Sequence, residues 1–245
     1  MKIVKQTDTG LKREQNEDQL GVFYNTADQV LLLLCDGMGG QNAGDVASQM
    51  ALTEVGERWR STEEMASEEA TTWLTQTLEL TNQRILEKSN QFDDLLGMGT
   101  TIVALADFGA EVVVAHVGDS RAYHLRQGSL AQVTKDHSYV QELVDQEIIS
   151  PEEAKHHPQK NIITQSMGIN PSINVDLIQI SVEVGDIFLL CSDGLTDMIE
   201  DQDILAVLLA KPNIEEAVKQ LIWEANNAGG RDNISIILAQ VQEGE

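Results

Sequence analysis

The chain is short of positive charge. Its 245 residues hold 16 Lys and Arg against 40 Asp and Glu, a formal net charge of −24. A protein that grips a nucleic-acid backbone must release counterions with clustered cations, and no such block is present, which excludes that class. Docking on an anionic membrane surface is excluded on the same ground. Cysteine is scarce too. Cys35 and Cys191 are the only two, each at the end of an apolar run, so the chain has no disulfide framework. Both read as small buried hydrophobes in a reducing compartment. No apolar run approaches membrane-spanning length, and Met1–Asp8 lacks the core of a signal peptide. A cytoplasmic location is expected. There are only four prolines and no Pro/Gly/Ser-rich linker, and no internal repeat divides the chain. One domain covering residues 1–245 is expected, and its 42% hydrophobic content suffices for a sizeable core.

What is present is a series of short strands broken by helix pairs. Lys2–Thr7, Gly21–Asn25 and Val30–Cys35 read as strands. Residues from Ala43 to about Trp59 carry apolar side chains at helical spacing. Ser61-Thr62-Glu63-Glu64 reads as a helix start, and a longer amphipathic helix follows from about Glu68 to Ser89. Closely spaced turns then separate strands at Thr101–Ala106, Glu111–Val117, Arg121–Arg126 and Leu130–Val133. Two short helices follow at His137–Glu147 and Pro151–His156, the second with Ser150 as N-cap, and Ile162–Met167 fits either helix or strand. Residues 136–168 are less hydrophobic than their flanks and are expected to form a surface flap. Strands at Val175–Ser181, Ile187–Cys191 and Ile234–Val241 enclose a second helix pair, Asp201–Leu209 and Ile214–Asn227. Trp59, Trp73 and Trp223 are expected in core or helix-layer contacts. Segregated strands and helix pairs make the fold class α+β.

The chemistry gathers on aspartates. Leu31–Cys35 is an unbroken apolar run that delivers Asp36 to Gly37-Met38-Gly39-Gly40, and Ile187–Cys191 leads into Ser192-Asp193-Gly194 in the same way. Asp18, Asp119 and Asp232 also lie in turns or at strand edges. An Asp-Gly after a strand is ordinarily a turn. If these ends meet at one rim, however, their repulsion calls for cations, and all-oxygen donors select hard ions, Mg²⁺ or Mn²⁺.

Seven motifs extend this reading: Arg13-x-x-Asn16-Glu17-Asp18, Asp36-Gly37-Met38-Gly39-Gly40, Gly97-Met98-Gly99-Thr100-Thr101, His116-Val117-Gly118-Asp119-Ser120-Arg121, Asp136-His137-Ser138, Ser192-Asp193-Gly194-Leu195 and Gly230-Arg231-Asp232-Asn233. Each alone is weak. In this order, from residue 13 to residue 233, they resemble the metal-dependent type-2C (PPM) serine/threonine protein phosphatases. Asp36–Gly40 and His157–Gln165 resemble bacterial members paired with a membrane kinase in Gram-positive bacteria. The resemblance implies a four-layer α-β-β-α sandwich, with two mainly antiparallel sheets flanked by helix pairs and a flap insertion. It also implies two core Mn²⁺ or Mg²⁺ ions, and a third in bacterial members. Asp36 would bridge the core pair, Asp193 and Asp232 would complete the first ion, and the Gly37 carbonyl would bind the second with Asp18 acting through water. Asp119 with Asp193 would hold the third, and Arg13 would grip the substrate phosphate. A water between the two core ions would attack phosphorus directly, without a covalent phospho-enzyme. Phosphorylated proteins and a cognate serine/threonine kinase are the implied partners. No nucleic acid and no membrane insertion are expected, and the chain is expected to act as a monomer.

The leaving-group acid stays open. Met38 and Gln41 stand where some relatives carry histidine, so metal-bound water is the default, with His116 and His137 as alternatives. Arg121 is either a structural ion-pair partner or a site residue. The competing functions are a phosphatase of anti-sigma-factor antagonists and a catalytically dead binding module; the full set of aspartates weighs against the second.

Overall fold

The computed structural model describes residues 1–39 and 43–243. Gly40 and Gln41, part of the glycine motif and of the histidine comparison, lie outside the described residues. The chain runs β1 (Lys2–Asp8), β2 (Asp18–Tyr24), β3 (Val30–Met38), α1 (Gly44–Arg60), α2 (Ser67–Gln91), β4 (Gly99–Thr100), β5 (Ile102–Asp107), β6 (Glu111–Val117), β7 (Arg121–Arg126) and β8 (Ser129–Gln132). It continues through α3 (Tyr139–Asp145), α4 (Pro151–Lys155), β9 (Asp176–Ser181), β10 (Ile187–Cys191), α5 (Asp193–Thr196), α6 (Asp201–Ala210), α7 (Ile214–Asn227) and β11 (Ile234–Gln240). One sheet has the order β1-β11-β10-β7-β8. The other is β2-β3-β5-β6-β9, with β4 paired to the end of β3. The pairings between these strands are antiparallel.

The unbroken apolar runs follow from this layering. Leu31, Leu33 and Cys35 point into a core shared with α1 and α2, whereas Leu32 and Leu34 point into a core between the two sheets. In β10, Leu189 and Cys191 face α6 and α7, and Phe188 and Leu190 face the other sheet. Three apolar interfaces between four layers make the α-β-β-α sandwich. Each of Leu31–Leu34 is fully buried, which stabilises the fold by roughly 1.5–3 kcal/mol per side chain.

Some expected elements moved. Ser61 and Thr62 close α1 rather than open α2, with the Ser61 and Thr62 hydroxyls donating to the Arg58 and Trp59 carbonyls. α2 starts at Ser67, where the Glu69 carboxylate accepts from the Ala66 N–H. Ile162–Met167 is neither helix nor strand and makes only single bridges, Ser138 with Ile163 and Thr100 with Met167. Trp59 is buried and packs edge-on against Trp73, but Trp223 is 56% exposed. The buried stripe of α7 runs through Ile214, Ala217, Val218, Leu221, Ile222 and Ala225, and Trp223 falls off it. Residues 136–168 connect β8 of one sheet to β9 of the other. They carry α3 and α4, the latter capped by Ser150, whose hydroxyl accepts from the Glu153 N–H.

Candidate active site

Strand register brings the first two carboxylates together. Asp18 opens β2 and is the cross-strand partner of Asp36 in β3. The sequence suggests that β3 stops at Cys35. Instead it continues through Asp36 to Met38, because Gly37 and Met38 pair with Thr100 and Gly99. The glycine-threonine motif is therefore the clamp on Asp36. The Thr101 hydroxyl accepts from the Asp36 N–H at 3.1 Å, the Thr100 hydroxyl donates to the Asp36 carbonyl at 2.9 Å, and the Thr101 N–H donates to that same carbonyl at 2.9 Å. Gly37 is required by crowding: a Cβ there would meet the Gly44 carbonyl at the start of α1.

The other sheet supplies the next two. β10 and β11 are neighbours, and Asp193 follows the end of one while Asp232 precedes the start of the other. The Ser192 hydroxyl donates to Asp18 Oδ2 at 2.9 Å and accepts from the Ser235 N–H at 3.0 Å, tying the two sheets together beneath the site. Asn233 stitches in the Arg13 loop. Its amide donates to the Thr9 and Gln15 carbonyls, each at 2.9 Å, and its side-chain oxygen accepts from the Glu17 N–H at 2.9 Å. Arg13 Nη2 donates to Asp232 Oδ2 at 2.6 Å. Asp119 sits in the turn where the chain crosses from β6 in one sheet to β7 in the other. Sequence reading missed the supporting roles of Thr101, Ser192 and Asn233. Each lies inside a motif already singled out, Ser192 and Asn233 directly beside a named aspartate and Thr101 in the glycine-threonine motif. Arg121 resolves as an ion-pair partner, its guanidinium meeting Asp136 through bonds of 2.7–3.1 Å.

The electrostatics show what the cluster needs. Removal from water, reinforced by Asp18, Asp193, Asp119 and Asp232, holds the Asp36 carboxyl well above its ordinary pKa. Asp193 is raised in the same way by burial and then by Asp119, Asp232 and Asp197. Burial pushes Asp18 up to about 6 against the opposing hydrogen bonds of Ser235 and Ser192, and pushes Asp119 up to about 7 with help from Asp136. Among the described residues, Asp18 Oδ1 and Asp119 Oδ1 are buried without a hydrogen-bond partner. Orphaned carboxylate oxygens within an all-oxygen cluster fit hard divalent cations and nothing softer. A cavity of about 800 Å³ adjoins the cluster at Asp119 and Asp193, with residues of the 136–168 segment forming its far wall. That wall is fastened by Lys160 to Asp197 and by Lys155 to Glu200, both at 2.8 Å.

Comparison with known proteins decides the family. The model of the protein phosphatase 2C family matches residues 11–229. The chain belongs to the protein phosphatase 2C family. It is a metal-dependent phosphoprotein phosphatase. The serine/threonine phosphatase stp of Listeria monocytogenes is 42% identical over 235 residues, covering 96% of this chain and 93% of the relative. The crystal structure of the serine/threonine phosphatase Stp1 from Staphylococcus aureus superposes with a TM-score of 0.95 at 40% identity, covering 98% of this chain and 94% of that one. The catalytic domain of PstP, crystallised with two manganese ions, superposes with a TM-score of 0.87 at 35% identity, covering 99% of this chain and 98% of that one. Among the described residues, no helix of this phosphatase is long and apolar enough to cross a membrane.

Proposed function

We propose that the phosphatase hydrolyses phosphoserine and phosphothreonine in proteins, opposing a serine/threonine kinase in the cytoplasm and acting as a monomer. The observation that carries the reading is the convergence of Asp18, Asp36, Asp119, Asp193 and Asp232, two of them with orphaned buried oxygens, beside Arg13. Asp36, Asp193, Asp232, Asp18 and the Gly37 carbonyl would hold the two core ions, and Asp119 with Asp193 would hold a third. Bound divalent ions supply an acidified water for attack on phosphorus and neutralise phosphoryl charge. The protein's own part is positioning. The threonine clamp fixes Asp36 on a rigid strand. Ser192 and Asn233 lock the loops that carry Asp18, Asp232 and Arg13. Arg13 sits half-exposed at the rim, where its planar fork can leave Asp232 and take two phosphate oxygens. The cavity beside Asp119 and Asp193 receives the peptide, and the 136–168 segment acts as a flap that selects among protein substrates.

The test compares phosphothreonine and phosphotyrosine peptides with Mn²⁺ and with EDTA. Turnover confined to the phosphothreonine peptide, abolished by EDTA and by Asp36→Ala, is the expected result. Full metal-dependent activity in Asp36→Ala or Asp193→Ala would overturn the assignment. Trimming the 136–168 segment should alter peptide selectivity more than hydrolysis of a small aryl phosphate, and equal loss on both would remove its role in selection.

A further inference from the structure

His116, His137 and Asp176 form a second cluster beside the site, with one ligand atom from each lying within 4.8 Å of the others. It looks like a metal site, but the hydrogen bonds argue otherwise. His137 Nδ1 accepts from the Gly118 N–H at 3.1 Å, so in the neutral ring the proton is on Nε2, which faces Asp176 Oδ2 at 3.4 Å. A nitrogen that carries a proton has no lone pair for a metal. His116 stacks on His137 with ring centroids 4.7 Å apart and meets the Lys135 carbonyl through Nε2 at 2.8 Å. Asp176 is the cross-strand partner of His116. The cluster therefore fixes the orientation and tautomer of one ring, His137.

What that ring holds is the Gly118 peptide. The His137 backbone N–H donates to the Gly118 carbonyl at 2.9 Å, while the Gly118 N–H donates to the His137 side chain. Gly118 has φ +113°, and a Cβ there would press on Thr101, so neither its conformation nor its room allows a substitute. The next residue is Asp119. On its other side, His137 reaches the far end of the 136–168 segment, because its carbonyl accepts from the Thr164 N–H at 2.9 Å. Ser138 bridges Ile163 at the same root. We propose that His137 is a positioning residue for Asp119, clamping the Gly118 peptide through both its side chain and its backbone and so joining the root of the 136–168 segment to the metal cluster. This rests on the reading of Asp119 as a metal residue.

The test uses His137→Leu, which removes the acceptor, and His137→Asn, whose side-chain oxygen restores one near the Nδ1 position, with Asp119→Asn as control. Amide exchange at Gly118 and calorimetric titration with Mn²⁺ are read on the full chain. In His137→Leu, Gly118 exchange is expected to rise by at least about tenfold, and the weakest Mn²⁺ site to lose about tenfold or more in affinity. In His137→Asn both should stay within about threefold of the parent. If His137→Leu changes neither quantity or only one, or if the Asn variant is as impaired as the Leu variant, the clamp is wrong. Mn²⁺ binding unchanged in Asp119→Asn as well would instead place the failure in the reading of Asp119.

Discussion

β3 and β10 leave their sheets in different ways, although both carry an apolar run that ends in cysteine with an Asp-Gly close behind. β3 does not end at its cysteine. It carries Asp36 within the strand, braced by β4 and by Thr100 and Thr101, and only then gives way towards α1. β10 ends at Cys191, and Asp193 becomes the first residue of the one-turn helix α5. One aspartate is held as part of a sheet and the other by a helical turn over Ser192. The glycine after each aspartate serves close approach: Gly37 lies against the Gly44 carbonyl and Gly194 against the Asn233 carbonyl. Like sequence patterns thus build unlike supports, and in the proposed reading these supports match unlike duties, a shared central carboxylate in Asp36 and a flanking one in Asp193.

The largest effect expected from this contrast is on catalysis. Asp36→Asn should lower kcat with Mn²⁺ by roughly a thousandfold, and Asp193→Asn by roughly a hundredfold, since each removes charge stabilisation worth several kcal/mol. Steady-state assays with a phosphothreonine peptide measure both, and equal losses would erase the distinction.

Next come the supports. Thr101→Val strips the acceptor from the Asp36 N–H and a partner from Ser120, whose hydroxyl lies 2.8 Å away. Ser192→Ala strips Asp18 and Ser235 of theirs. Each should cost about 1–3 kcal/mol of stability by leaving buried polar groups unpaired, measured by urea denaturation of the metal-free protein. Thr101→Val should lower activity more than Ser192→Ala, because it loosens the central carboxylate directly. Gly37→Ala and Gly194→Ala should each cost roughly 1–3 kcal/mol through overpacking, and unchanged urea midpoints would show that the close approaches are slack.

The subtlest effect is on pH. Asp18 at about 6 and Asp119 at about 7 lie above their unfolded values, and Asp36 and Asp193 are shifted the same way. Between the unfolded and folded values the native state binds more protons than the unfolded chain, so stability falls as pH rises through that window. The metal-free protein should therefore melt higher at pH 5 than at pH 7.5. Mn²⁺ should raise Tm more at pH 7.5 than at pH 5, because fewer protons must leave the carboxylates when the ion binds. A metal-free Tm that climbs from pH 5 to 7.5 would mean that the carboxylates do not strain one another.

Much of this architecture is legible in the chain because its periodicity is simple. Continuous apolar runs at residues 31–35 and 187–191 suit strands buried on both faces, which their shortness favours over helix, and the stripe of α7 shows its period directly. Ser61–Glu64 misleads because Ser and Thr serve as well at a helix C-terminus, bonding back to carbonyls, as at an N-cap. Trp223 misleads because its size suggests burial whereas its place around α7 falls off the buried stripe. At the site, the aspartates are visible as residues in turns or at strand edges. The extension of β3 through Asp36 is not, because it depends on pairing with Gly99 and Thr100, more than 60 residues away in the chain. The His137 clamp is hidden for the same reason, its partners lying on β9 and on the turn before β7.

The most direct measurement of the central claim is the count of Mn²⁺ ions held by the parent, Asp36→Asn and Asp193→Asn, determined by calorimetric titration. If Asp36 is the shared carboxylate and Asp193 a flanking one, Asp36→Asn loses both tight sites while Asp193→Asn keeps one. If the two variants hold the same number of ions, the distinction between the strand-borne and helix-borne aspartates is wrong.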